Sequence, residues 1–309
     1  MRLAVIGSDG FVGRAVTAAA LADRRITSLH LLDTRAPPGH ADGRVRTFAG
    51  SFADPALRAE CCAGADAVIH LAAVLGAAAE QDYAAARAAN VDATLSLFEH
   101  LRETGPGRRV VFASTVAVYG PHLPDPVTDA TPFDPVMVYG AQKLMMEVAL
   151  SNFSARGWLD GISLRPSGIV ARPGEGQGLK SAFMSELFHA VAAGRDITLP
   201  VGPDAQSWFI SVARVAEGLL HAATLPRIPG PRALNMPALR LRYDRLIAAL
   251  RRRFPDSPSR VRHAPDPEIT ALFGAYPAIE TEAARRLGLR GDDTADALVR
   301  AVFEKGVTG

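Results

Sequence analysis

Cysteine is nearly missing from this chain: its 309 residues contain two, Cys61 and Cys62, side by side. Neighbouring cysteines rarely close a relaxed disulfide, because a bridge prefers Cα atoms about 5.5–6 Å apart. No C-x-x-C spacing is present, which removes the usual zinc and dithiol redox motifs. A reducing, cytoplasmic setting is the expectation. Long hydrophobic runs are missing as well. The apolar start at residues 1–7 is too short for a signal-peptide core, and no small-residue cleavage site follows it. No run of about eighteen apolar residues offers a membrane span. An excess of charge of one sign is also missing: 34 Lys and Arg stand against 32 Asp and Glu, for a net +2. Without a long basic run, no nucleic-acid partner is expected. Lysine is scarce beside arginine, which draws attention to Lys143 and Lys180.

What is present is ordinary in bulk and ordered in pattern. Hydrophobic residues make up 48% and charged residues 21%, a composition typical of soluble globular proteins. The length allows a main domain with a smaller lobe. Apolar, β-rich runs at 3–6, 28–32, 44–48, 67–71, 109–113 and 161–164 alternate with helical stretches at 10–22, 55–62, 83–102 and 139–156. Strands that are apolar throughout and separated by helices imply a parallel sheet covered on both faces. The expected fold class is therefore α/β: a Rossmann-type doubly wound parallel sheet with a smaller C-terminal substrate lobe. After residue 165 the pattern is irregular. It holds a Gly/Pro-rich loop at 172–178, a helix at 181–193, proline breaks at 226–231 and 255–267, and a closing helix at 293–303.

The run Gly7-Ser8-Asp9-Gly10-Phe11-Val12-Gly13 follows the first strand and opens the first helix. Glycines there permit a tight turn, close backbone approach to a pyrophosphate and tight helix–strand packing, while the helix N-terminus presents N–H groups to phosphate. This predicts a dinucleotide site at Gly7, Gly10, Phe11, Val12 and Gly13. Asp33 closes the second strand about twenty residues on, where a carboxylate accepts from ribose hydroxyls and repels a 2′-phosphate. The cofactor expected is NAD, although Arg35 follows closely and offers a partner for a phosphate. Residues 1–166 are read as an NAD-binding Rossmann domain. Residues 167–309 are read as mainly a substrate-binding lobe, discontinuous, with some segments returning to the first domain.

Tyr139 and Lys143 lie four residues apart, so on a helix they share a face. A fixed cation near a phenol favours the phenolate, and such a tyrosine serves as a general base on an alcohol. Tyr-x-x-x-Lys alone is a weak pattern; its neighbours give it weight.

With Gly7/Gly10/Gly13, His70-Leu71-Ala72-Ala73, Asn90, Ser114-Thr115-Val116-Ala117-Val118-Tyr119-Gly120, Tyr139/Lys143 and Leu164-Arg165-Pro166 in order, residues 1 to about 172 resemble the extended short-chain dehydrogenase/reductase family. The resemblance implies roles. Tyr139 is the acid/base, Lys143 holds the nicotinamide ribose and lowers the tyrosine's pKa, and Thr115, with Ser114 beside it, positions the substrate oxygen. Ser51, Phe52, Leu71, Ala72, Ala73, Asn90, Ser114, Pro166, Gly168 and Ile169 join the cofactor site, with Ser167 at its border. Val74, Leu75, Ser114, Thr115, Arg172, Lys180, Ser181 and Trp208 face the substrate. A homodimer through the two long helices is implied, and no metal.

Within the family, residues 138–143, 152–161, 170–174, 207–211 and 232–237 resemble the D-erythronate dehydrogenase branch, which oxidises a four-carbon sugar acid at C2 with NAD. Nucleotide-sugar members carry an Arg-Asp pair where this chain has Ser207 and Trp208. Three places depart from the erythronate branch: the loop at 74–78, Gln206-Ser207 in place of an Arg-His pair, and the loop at 175–178. The expected reaction is oxidation of a secondary alcohol, the 2-hydroxyl of a small sugar acid. The alternatives are a sugar epimerase or isomerase, a reductase of a less polar ketone, and a non-catalytic redox sensor. His70, on an apolar strand, is read as a core residue, and Met145-Met146 as helix-face packing.

Overall fold

The computed structural model describes residues 1–35, 40–174 and 180–304. Strand β1 (Arg2–Ile6) is buried from its second residue onward. It runs into the glycine turn and helix α1 (Phe11–Ala22), whose N-cap Gly10 brings no side-chain cap. The first amides of α1 are therefore left to a ligand. Strands β2 (Ser28–Asp33) and β3 (Val45–Ala49) follow, then α2 (Pro55–Cys62). A proline in its first turn and the Asp54 carboxylate, which accepts from the amides of Ala56 and Leu57, start α2. Strand β4 (Ala67–His70) is buried at every position.

The helix expected over 83–102 is broken. After α3 (Gly76–Gln81), α4 (Tyr83–Arg87) gives way to a π-helical stretch, Ala88–Ala93, and then to α5 (Thr94–Thr104). The wide turn holds Asn90, buried, facing the loop after β4. π-Turns of this kind often mark functional sites, and no residue type in the run signals one. Strand β5 (Arg108–Ala113) leads through a 3₁₀ turn (Val116–Tyr119) to α6 (Val138–Ala155) and β6 (Leu159–Arg165).

Beyond this point lie β7 (Ile169–Val170), α7 (Ala182–Ala192), β8 (Ile197–Leu199), β9 (Gln206–Ser211), α8 (Val212–Thr224) and β10 (Ala233–Asn235). The chain continues with β11 (Leu239–Arg242), α9 (Tyr243–Arg253), β12 (Val261–His263), α10 (Pro267–Phe273), α11 (Glu282–Arg286) and α12 (Ala295–Phe303). Seven strands form the main sheet in the order β10-β6-β5-β4-β1-β2-β3, every neighbouring pair parallel. Chain order reverses between β1 and β4, the place where doubly wound sheets bind ligands.

Apolar cores line both faces of the sheet. One joins α1 and α8 to β1, β2 and β4, and the other joins α2, α5 and α6 to the opposite face. Each fully buried Leu or Phe contributes on the order of 1.5–3 kcal/mol. Sequence reading expected some later segments to return to the first domain without saying which; β10 joins the main sheet and α8 its core. Ser211 caps α8 by accepting from Arg214 N–H, and Val212, Val215, Leu219 and Ala223 bury one face of it. Strand β10 is only three residues long, too short for a periodic signal. The remaining elements surround a separate core built on β7, β9, α7, α9 and α12. No helix among the described residues is long and apolar enough to cross a membrane.

Candidate active site

Gly7 and Gly13 of the turn are packed too closely for a side chain. A Cβ on Gly7 would lie 2.6 Å from Ala72 N, and one on Gly13 only 2.1 Å from Gly7 O. Gly7 also has φ +88°, a conformation that costs other residues strain. The backbone of Leu71 and Ala72 crosses the turn, both amides donating to Ile6 O. Around this switch point the hydroxyls of Ser8, Ser114 and Ser167 are buried and have no partner within the protein. Buried polar atoms normally find partners, so three past the carboxyl ends of β1, β5 and β6 mark a polar ligand. Asp33 ends β2 with Oδ2 accepting from Asp9 N–H at 2.9 Å. Free helix amides, a close-packed glycine turn, orphaned hydroxyls and a strand-end carboxylate together fit a dinucleotide such as NAD.

Tyr139 and Lys143 lie on the first two turns of α6. Gly140 lets that helix approach the 3₁₀ turn, since a Cβ there would be 2.5 Å from Ala117 O. The turn carrying Tyr139 thereby packs against the turn that starts at Thr115. Thr115 Oγ1 accepts from Ala117 N–H at 3.1 Å, which leaves its own hydrogen free to donate. Lys143 is buried, donates to Ala113 O at 2.8 Å, and lies 4.4 Å from the Phe112 ring centroid and 5.8 Å from that of Tyr139. Burial pulls its pKa down to about 7, opposed by the Glu147 carboxylate one turn on.

Two cations lie near Tyr139. Burial pushes the phenol above its ordinary value, and Arg172 pulls it back. Lys143, expected to lower the phenol's pKa, holds its ammonium 5.8 Å from the Tyr139 ring centroid. Arg172 reaches the site from the loop after β7, its guanidinium 5.4 Å from the Phe11 ring centroid. Its backbone is fixed at both ends: Arg172 N–H donates to Ser185 Oγ at 3.0 Å and its carbonyl meets His189 Nε2 at 3.0 Å.

Asn90 is used as a clamp. Its side chain accepts from Val74 N–H at 2.8 Å and donates to Val74 O at 2.9 Å and Gln142 Oε1 at 2.8 Å. Both amide hydrogens are thereby spent, so Asn90 acts on the site by holding the loop of Val74 and Leu75. Phe52 is core, with its ring 4.9 Å from that of His70, and Ser51 Oγ accepts from Ala53 N–H. Pro166 O accepts from Val116 N–H and Gly168 O from Ile210 N–H, tying the end of β6 to β5 and β9. Ile169 pairs with Ile210.

The expected substrate-facing residues separate in the fold. Trp208 is buried, its indole N–H spent on Pro277 O at 2.8 Å and its ring 4.5 Å from that of Tyr276. It is a packing residue with no donor left for a ligand. Lys180 is 58% exposed and pairs with Glu268, so its charge has a partner at the surface. Ser181 is the uncapping residue before α7. Ser207, at the position where nucleotide-sugar members carry arginine, is buried, with its hydroxyl against Tyr243 Oη and Phe273 O. The divergent loop at 175–178 lies outside the described residues.

Sequence reading missed the support beneath this site. Gln142 joins Asn90, and Arg165 makes a bidentate pair with Glu147 while donating to Tyr119 Oη at 2.7 Å. A signal existed: Glu147 is one helical turn past Lys143, and Arg165 is a charge ending an apolar strand. His70 Nε2 meets Thr94 Oγ1 at 3.0 Å, and burial lowers its pKa to about 3. No group of three or more His, Cys, Asp or Glu among the described residues could hold a metal ion.

Residues 3–236 match the model of the NAD dependent epimerase/dehydratase family. The chain is 35% identical to D-erythronate dehydrogenase of Cupriavidus necator, with 98% of each chain covered. It is 28% identical to D-erythronate dehydrogenase of Haemophilus influenzae, covering 98% of this chain and 99% of that one. Among solved structures, a nucleoside-diphosphate-sugar epimerase from Agrobacterium tumefaciens superposes with TM-score 0.89 at 30% identity, over 100% of this chain and 95% of the other. The chain belongs to the NAD dependent epimerase/dehydratase family and is an NAD-dependent oxidoreductase.

Proposed function

We propose that this enzyme oxidises the 2-hydroxyl of a small sugar acid of the D-erythronate kind, using NAD. The observation that carries the reading is the meeting of Tyr139, Lys143 and Thr115 at the strand ends with a second cation, Arg172, acting on Tyr139. The two full-length relatives that act on D-erythronate support it.

Each residue then has a definable task. NAD, when bound, supplies a nicotinamide C4 that takes the hydride from the alcohol carbon. The glycine turn and the amides of α1 hold the pyrophosphate, and Asp33 holds the adenosine ribose. Thr115 donates its hydroxyl hydrogen to the substrate oxygen. Tyr139 takes the hydroxyl proton as the ketone forms, a contribution of about 10²–10⁴ in rate. Lys143 spends one hydrogen on Ala113 O and has two more for ribose hydroxyls. Arg172 meets the substrate carboxylate, where a guanidinium can make two parallel hydrogen bonds.

A second reading, epimerisation of a nucleotide sugar, is favoured by the likeness to the Agrobacterium tumefaciens epimerase. The buried Ser207 hydroxyl, turned to Tyr243 and Phe273, speaks against it, because it supplies no cation for a diphosphate. Continuous absorbance in the NADH band separates the two. D-erythronate with NAD is expected to build up NADH in proportion to substrate. If a panel of four-carbon sugar acids yields none while UDP- or dTDP-sugars change configuration, the dehydrogenase reading fails.

We further take residues 1–166 as the NAD-binding domain and residues 167–309 as mainly the substrate lobe. A homodimer through α4 and α6 is part of the proposal: Tyr83, Met145 and Val148 expose 59%, 52% and 60% of their surface on those helices. Contiguous exposed apolar side chains commonly mark an interface. A cytoplasmic setting accords with two free, buried thiols.

A further inference from the structure

We propose that Asp9 is a cofactor-specificity residue: it draws Arg35 onto the glycine turn, so that this arginine cannot serve the 2′-phosphate of NADP. Asp33 is the recognised type of determinant, a carboxylate ending the second strand. Two residues later comes Arg35, the side chain best suited to a phosphate, with a planar fork that grips two oxygens. A carboxylate and an arginine so close together pull cofactor choice in opposite directions. The structure resolves the conflict through Asp9.

Arg35 Nη2 lies 2.9 Å from Asp9 Oδ2 and donates to Asp9 O at 3.4 Å. The other carboxylate oxygen is taken by Arg14, with Nη2 at 2.9 Å and Nε at 3.0 Å. Arg14 Nε also reaches Asp9 O at 3.1 Å. The Asp9 backbone is fixed in turn by its N–H bond to Asp33 Oδ2. Asp9 thus faces two guanidinium groups and is linked through its own amide to the ribose-binding carboxylate. Its side chain is 5% exposed, while those of Arg14 and Arg35 are 47% and 71% exposed.

That contrast matters. The arginines are free to leave, but the Asp9 carboxylate is 5% exposed and needs their charge, so it holds Arg35 more firmly than a surface carboxylate would. The effect is spatial. Arg35 is the near cation that could neutralise a 2′-phosphate, and it is folded back against the turn. The ribose pocket keeps the charge of Asp33, which disfavours a phosphate dianion. NAD, with free ribose hydroxyls, needs no such cation.

The test is direct binding of NAD⁺ and NADP⁺ to the full-length protein by isothermal titration calorimetry, with turnover as a second readout. In Asp9→Asn the ratio Kd(NADP⁺)/Kd(NAD⁺) is expected to fall by about tenfold or more, the scale of one charge-assisted contact. In Asp9→Asn/Arg35→Ala that fall disappears, because the freed arginine is its cause. Arg35→Ala alone, a change at an exposed side chain, leaves the ratio within about twofold, whatever the folding yield of the Asp9 variants. An unchanged ratio in a folded Asp9→Asn, a fall that persists in the double variant, or a ratio that rises several-fold in Arg35→Ala would each overturn the proposal. The test does not require the sugar-acid substrate to be right.

Discussion

The cofactor side and the substrate side of this active site are built differently. The cofactor side comes from short continuous segments at the ends of β1, β2, β4 and β5, each carrying its own local motif. The proposed substrate side draws on the loop after β7, the strand β9 and the chain around residues 273–277, brought together by a separate core. On the first side, the hydroxyls of Ser8, Ser114 and Ser167 are buried without a partner in the protein. On the second, Trp208 and Ser207 have turned inward to pack, and Arg172 provides the cation acting on Tyr139. A cofactor common to a whole family can be held by fixed local geometry, whereas the substrate pocket is set by which side chains the lobe turns inward.

Three substitutions probe that division. Tyr139→Phe should have the largest effect, a loss of about 10²–10⁴ in kcat with NAD⁺ affinity retained. Retention of more than about a tenth of the rate would show that another group takes the proton. Glu147→Gln tests the support beneath the cofactor side. It leaves the Arg165 guanidinium, 2% exposed, without its counter-ion. Losing one partner of a buried pair costs about 3–5 kcal/mol, read from urea denaturation. A loss under about 1 kcal/mol would mean that Tyr119 and the rings around Arg165 suffice.

Arg172→Met probes the substrate side, with the smallest expected change. KM for a sugar acid should rise about 10- to 100-fold, the worth of a hydrogen bond to a charged group, while NAD⁺ affinity holds. The pH profile gives a second signature. Burial raises the Tyr139 pKa and Arg172 lowers it, so less phenolate is present at a given pH once the cation is gone. The rising limb of oxidation rate should therefore move to higher pH in Arg172→Met. A limb that stays in place would assign the opposing charge to another group.

Much of this was legible in the sequence because the cofactor machinery is local. The glycine turn and Asp33 are separated by one helix, and Tyr139 and Lys143 by one helical turn. Those spacings fix geometry once the element type is known. The π-turn at Ala88–Ala93 was not legible, since the contact its Asn90 makes is with Val74, sixteen residues away. Spacing put Lys143 near the phenol, and the structure keeps it there, 5.8 Å from the ring centroid. It could not show the second cation, Arg172, which reaches Tyr139 from the loop after β7, far along the chain. Trp208 drew interest as an aromatic beside a divergent pair, and only packing against Tyr276 and Pro277 decided that it faces inward.

By itself the sequence determined the doubly wound sheet, the dinucleotide turn and the tyrosine–lysine pair. Each rests on periodicity or on contacts within one or two adjacent elements, where covalent connection limits the possible geometry. Tertiary structure alone decided that β10 and α8 are the segments that join the main sheet and its core, that Asn90 clamps a loop, and that Asp9 gathers Arg14 and Arg35. It also decided that Arg172 acts on Tyr139 while Lys180 pairs with Glu268. Those outcomes depend on burial and on which charges compete for one partner, and both are properties of the packed chain.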